Sequence, residues 1–100
     1  MIKGVTAEEE IIIKDILKPY KNSFNFFYYG SRVKGDFSGL SDLDILIKGE
    51  RAMDLSSLCS IKEMFDISRL PYIVNFSNYN SITSDFYKLI EKDLVEIQII

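Results

Sequence analysis

Tyr29-Gly30-Ser31-Arg32-Val33-Lys34-Gly35 is followed, after a loop from Asp36 to Leu40, by Ser41-Asp42-Leu43-Asp44-Ile45. The short aromatic run Asn25 to Tyr29 ends at Gly30, which marks a strand feeding a tight turn. Ser31 to Gly35 makes that turn, or one turn of helix, and Asp36 to Ser41 is loop, rich in Gly, Ser and Asp. Leu43, Ile45 and Ile47 then alternate with Asp42, Asp44 and Leu46, the pattern of a second strand that closes at Lys48-Gly49.

Upstream, Thr6-Ala7-Glu8-Glu9 fits a capping box, with Thr6 as N-cap and Glu9 reaching back. Ile12 with Ile16, and Ile13 with Leu17, give the helix that follows an apolar stripe. Pro19 ends it, by the disfavour a proline imposes on the α region at Lys18. Downstream, a helix is expected from about Ala52 to Phe65, buried through Leu55, Leu58, Ile61 and Phe65, with Cys59 as a small apolar residue on it. Tyr72 to Phe76, reached through Pro71, reads as a third strand. Thr83 to Lys92 reads as a helix carrying Phe86, Leu89 and Ile90, and Val95 to Ile99 as a last strand. This order mixes hairpin and crossover links. It predicts an α/β (α+β) domain over residues 1–100: a small mixed sheet with helices packed on one face.

The chain of 100 residues is 47% hydrophobic, enough for one core, and has no apolar run near the eighteen or so residues of a membrane span. No secretion leader opens it, and the single Cys59 forms no internal disulfide, so a reduced, cytoplasmic setting is expected. Twelve Lys and Arg against fifteen Asp and Glu give a net charge of −3, which argues against strong nucleic-acid binding. Histidine is absent, which removes Ser-His-Asp and Cys-His catalysis and histidine metal sites. Chemistry here rests on carboxylates, Lys, Arg, Ser, Tyr or a metal held by oxygen.

Asp42 and Asp44 stand two apart on a predicted strand, so both side chains leave the same face, with Cα atoms roughly 7 Å apart. Two carboxylates so placed can converge on one hard cation or bridge two; without a cation they repel and at least one pKa rises. Mg²⁺ binds through few carboxylates and completes its shell with water and phosphate. Gly30 allows close backbone approach, the N–H groups opening the turn and the Ser31 hydroxyl can meet an anion, and Arg32 and Lys34 bring positive charge nearby. Each part alone has a plainer reading: a turn, a solvated polar face, surface charge. Together, a phosphate cradle and a metal-binding pair fit phosphoryl transfer.

Gly30-Ser31, ten residues, then Asp42-Leu43-Asp44 resembles the Gly-Ser-x₁₀-Asp-x-Asp signature of minimal nucleotidyltransferase domains, in the DNA polymerase β superfamily. Tyr29, Ile45, Leu70-Pro71-Tyr72 and the Phe86 to Glu91 helix extend the likeness over most of the chain. The resemblance implies a polymerase β-like nucleotidyltransferase fold. It implies Gly30 and Ser31 on the triphosphate, with Arg32 and Lys34 beside them, and Asp42 and Asp44 ligating two Mg²⁺ ions. The reaction implied is transfer of AMP from ATP to a hydroxyl on a protein. It also implies a role as antitoxin to a helical HEPN-domain partner, because small stand-alone members pair in this way. Aligned on Leu70-Pro71-Tyr72, the third acidic position of catalytically complete members falls on Asn75, which brings no charge and cannot act as a base. Asp66 and Asp85 are the nearest acids, and both lie on predicted helices. Slow chemistry is one consequence of Asn75; a weakened antitoxin or regulatory subunit acting by contact is the other. A third reading is a subunit that modifies a small molecule such as an aminoglycoside, its second domain supplied by another chain.

Overall fold

In the computed structural model, which describes residues 2–100, the four strands are β1 (Asn25–Tyr29), β2 (Leu43–Lys48), β3 (Val74–Asn78) and β4 (Val95–Glu96). The α-helices are α1 (Ala7–Leu17), α2 (Ser31–Lys34), α3 (Leu55–Asp66) and α4 (Ser84–Ile90). The strands form one mixed sheet in the order β3-β2-β1-β4. β2 pairs antiparallel with β1 and parallel with β3, and β1 pairs antiparallel with β4.

The α1 N-terminus is the capping box expected from sequence: Glu9 N–H donates to Thr6 Oγ1 at 3.1 Å, and Thr6 N–H donates to Glu9 Oε1 at 3.0 Å. Ile13 and Leu17 are fully buried. Pro19 ends the helix, but Lys18 is not driven out of the α region, since it sits at φ −51, ψ −40. The missing N–H of Pro19 interrupts the i to i−4 ladder instead, and the chain tightens into a 3₁₀ turn over Lys18–Tyr20.

Helices α1 and α3 cover one face of the sheet. There Ile13, Leu17, Ile61 and Phe65 meet Phe26, Tyr28, Leu43, Ile45, Ile47 and Val74 in the main core. Two acids of α1 also reach this layer: the Tyr28 hydroxyl donates to Glu10 and the Tyr72 hydroxyl to Glu9. The second face carries only α4, over a small cluster of Tyr29, Leu46 and Ile90. Leu46 therefore breaks the alternation of β2 because both faces are covered at that point.

Several boundaries and burials differ from the sequence reading. Helix α3 starts at Leu55 rather than Ala52, because Asp54 caps it by accepting from Ser57 N–H at 2.7 Å. Leu55, at the first helical position, is 75% exposed, and Cys59 also faces outward. Strand β3 begins two residues later than expected and runs to Asn78, because its parallel partner starts at Leu43, opposite Val74. Helix α4 stops at Ile90 and continues as a 3₁₀ turn over Glu91–Asp93, and Leu89 lies on its solvent side, exposed. Strand β4 is two residues long; the Ile97 N–H still donates to Phe26 O at 2.8 Å, but β1 begins at Asn25, so the antiparallel β4 finds little to pair with beyond. No helix among the described residues is long and apolar enough to cross a membrane.

Candidate functional site

The sheet register brings Tyr29, Asp44 and Asn75 side by side on three neighbouring strands. By strand alternation all three leave the sheet on the α4 side, away from the main core. Asp42 lies just ahead of β2, where the Leu43 N–H donates to Ile73 O at 2.8 Å. The Asn75 Nδ2 donates to Asp42 Oδ2 at 2.8 Å. The position aligned with a third acid thus meets the aspartate pair, and its amide nitrogen faces a carboxylate.

Gly30 stands at the end of β1 with φ 87 and ψ −161, a conformation essentially restricted to glycine. A Cβ placed there would run into Asp44 Oδ2. The bare backbone of the turn and the carboxylate therefore share one small space. Helix α2 follows directly. Its four residues develop little dipole, so an anion here would be met by individual groups: the first-turn N–H groups of Ser31 and Arg32, which have no carbonyl one turn back within the helix, and the Ser31 hydroxyl.

Half-burial pushes the Asp44 carboxyl above the ordinary carboxylate value; the Asn75 amide pulls it down and the charge of Asp42 pushes it up again. The two like charges thus act on each other directly. Among the described residues no three His, Cys, Asp or Glu side chains gather as a metal site. Asp42 and Asp44 fit a divalent cation whose remaining ligands are phosphate and water, which is the usual manner of Mg²⁺. They do not fit a cation caged by protein alone. Asn75 could add its amide oxygen only by turning the amide over.

The structure places one of the sequence-based candidates elsewhere. Arg32 is not on the phosphate side: it is buried, 4% exposed, and its guanidinium is bonded to main-chain carbonyls. Lys34, on the same turn, is half exposed and lies 3.8 Å from Asp93, a loose surface pair that holds its charge only weakly. Conversely, two residues escaped the sequence reading. The Tyr29 hydroxyl shares a 3.2 Å hydrogen bond with Ser77 Oγ, and its ring meets Phe86 edge-on at 6.1 Å. Burial raises the Tyr29 pKa, the Ser77 bond lowers it, and the Asp44 charge raises it. The signal for Ser77 was the period of two, since it follows Asn75 by two; Tyr29 is set beside Asp44 by the pairing of β1 with β2.

Among curated proteins, the chain is 35% identical over 94 residues to a Haemophilus influenzae protein named "probable protein adenylyltransferase MntA"; the match covers 94% of this chain and 82% of that protein. Among solved structures, it superposes on a chain of a toxin-antitoxin with AMP-PNP, with a TM-score of 0.74 at 16% identity, covering 91% of this chain and 73% of the other. It also superposes on a chain of the MntA-HepT toxin-antitoxin, with a TM-score of 0.63 at 15% identity, covering 91% and 70%. At those identities the two structures speak for the fold. The pattern of the nucleotidyltransferase domain family matches residues 10–99, nearly the whole length described, and with the MntA relative it establishes that this chain belongs to that family.

Proposed function

We propose that this chain is a Mg²⁺-dependent adenylyltransferase that moves AMP from ATP to a hydroxyl of a protein partner, as the antitoxin of a HEPN-type pair. The observation that carries the reading is the register setting Asp44 beside Asn75, with Asp42 bonded to Asn75 and Gly30 too close to Asp44 to carry a side chain. The names of its relatives support the protein acceptor, the triphosphate and the toxin partner. Gly30 and Ser31 would hold the phosphates, and Asp42 and Asp44 would hold Mg²⁺ when it is bound. The acceptor oxygen bonds to the α-phosphorus, the bond to the bridging oxygen breaks, pyrophosphate leaves, and the hydroxyl proton passes to solvent. The chemistry supplied by Mg²⁺ is neutralisation of phosphate charge and alignment of the acceptor.

The test is incubation with labelled ATP, Mg²⁺ and the co-purifying partner, followed by intact mass of both chains. A mass gain of one or more AMP on the partner, lost in the double variant Asp42→Asn with Asp44→Asn, is the expected result. Unmodified partner together with inhibition of its toxicity supports a second reading, a contact-only antitoxin. The Asn75 side chain favours that reading, since it stands beside Asp42 and supplies no third negative charge.

A further inference from the structure

Arg32 is the one buried charged side chain among the described residues, and no carboxylate of those residues lies within ion-pair distance of it. Main-chain oxygens surround it instead. Nε donates to Ser41 O at 2.9 Å, Nη1 to Gly4 O at 2.7 Å, and Nη2 to Gly39 O at 3.1 Å and Ser38 O at 3.4 Å. The guanidinium carbon lies 3.9 Å from the centre of the Tyr72 ring and 5.0 Å from that of Phe37. A planar fork with five donors suits such a place, and a lysine ammonium does not. Gly4 also accommodates it from below: a Cβ there would collide with Arg32, and Gly4 N–H donates to Arg32 O at 3.0 Å.

One side chain thus joins the segment ahead of α1, the loop between the phosphate turn and the carboxylates, and the residue pair leading into β3. The loop has few other anchors. Its remaining bonds are internal, from Ser41 and Leu40 back to Ser38 and from Ser38 to Ser41, and Leu40 at its tip is 85% exposed. The carbonyl gripped by Nε belongs to Ser41, one peptide before Asp42.

We propose that Arg32 is a positioning residue: it fixes Asp42 relative to the Gly30-Ser31 turn, so that the carboxylate pair is set before a cation arrives, and it does not itself touch the nucleotide. The functional half of this rests on Asp42 and Asp44 being metal ligands. Arg32→Lys keeps the charge and gives up the fork. Amide hydrogen exchange and ATP affinity, with and without Mg²⁺, are compared in wild type and variant. Exchange over Ser38 to Leu43 should rise about tenfold to a hundredfold, the scale of losing charged hydrogen bonds, while α1 and β1 hold their protection. ATP affinity without Mg²⁺ should change less than about twofold, and the gain that Mg²⁺ brings should fall about tenfold. Wild-type exchange in the loop overturns the proposal. So does an equal loss of ATP affinity without Mg²⁺, which is the behaviour of a phosphate ligand. If Arg32→Lys does not fold, Arg32→Gln, which removes the buried charge and keeps at most two of the five donors, carries the same test. The same loop-confined rise and the same lost gain support the proposal; wild-type behaviour in both overturns it. A wild type whose ATP binding ignores Mg²⁺ counts against Asp42 and Asp44 as metal ligands, and the exchange pattern, which needs no nucleotide, then decides whether Arg32 anchors the loop.

Discussion

Replacing Gly30 by alanine should damage the protein in two separable ways. At φ 87 and ψ −161 the backbone occupies a region essentially closed to other residues, at a cost of about 1–3 kcal/mol for any Cβ. For a domain of this size that is a fall in melting temperature of roughly 5 to 20 °C. The second effect is local: the new methyl meets Asp44 Oδ2, so the carboxylate must move or the turn must open. Gly35→Ala separates the two. Gly35 is also at positive φ, 95, but a Cβ there finds only the end of the Lys3 side chain, at 3.4 Å. Left-handed strain alone should cost it about 1–2 kcal/mol. Both variants should therefore lose stability in urea, and only Gly30→Ala should lose the Mg²⁺-dependent part of ATP affinity in calorimetry. A folded Gly30→Ala protein that binds Mg-ATP like wild type would remove Gly30 and Asp44 from the nucleotide site.

Asn75→Asp should raise the single-turnover rate of AMP transfer on the order of tenfold to a thousandfold, the range of general-base effects, with little change in ATP affinity; a variant no faster than wild type, with a competent partner, points to inhibition by contact. Ser31→Ala should weaken ATP binding by about 1 kcal/mol, the worth of a hydrogen bond, or more if the bond is charge-assisted; unchanged affinity takes the hydroxyl out of the site. Asp44→Asn should make the protein more stable at neutral pH. Burial, ahead of the Asp42 charge, raises the Asp44 pKa above its unfolded value, so ionising it costs the folded state as pH rises through the folded value. The gain should shrink as pH falls below the ordinary carboxylate range, and urea unfolding across pH that shows none at any pH contradicts the assignment.

Much of the fold was legible because its signals are local. Thr6 and Glu9 announce α1, and the alternation in Leu43 to Ile47 announces β2 whatever surrounds them. Element ends were less legible because partners set them. Strand β3 starts at Val74 because β2 starts at Leu43, and nothing around Tyr72 carries that information. Leu55 and Leu89 fit helical stripes by spacing, yet each lies where its helix faces solvent. The period of two puts Asp42 and Asp44 on one face of β2, but Tyr29 went unread because the pairing of β1 with β2, not spacing along either strand, sets it beside Asp44, and the direction of the Asn75 amide is likewise a matter of contact.

Arg32 marks the limit of reading charge from sequence. Next to Gly30-Ser31 it looks like a phosphate ligand, and its direction is instead set by Gly4, Ser41 and Tyr72, which are far from it along the chain. The consequence reaches the chemistry. With Arg32 turned to main-chain carbonyls, Lys34 is the one basic side chain of the turn left to meet phosphate, and a single positive charge leaves most of a triphosphate's charge unmet. Asp42 and Asp44 would repel that charge if they stood alone beside it. On the proposed reading, a site of this composition can hold ATP well only when cations lie between carboxylate and phosphate, so the dependence on Mg²⁺ should be steeper than a turn bearing free Arg and Lys would give.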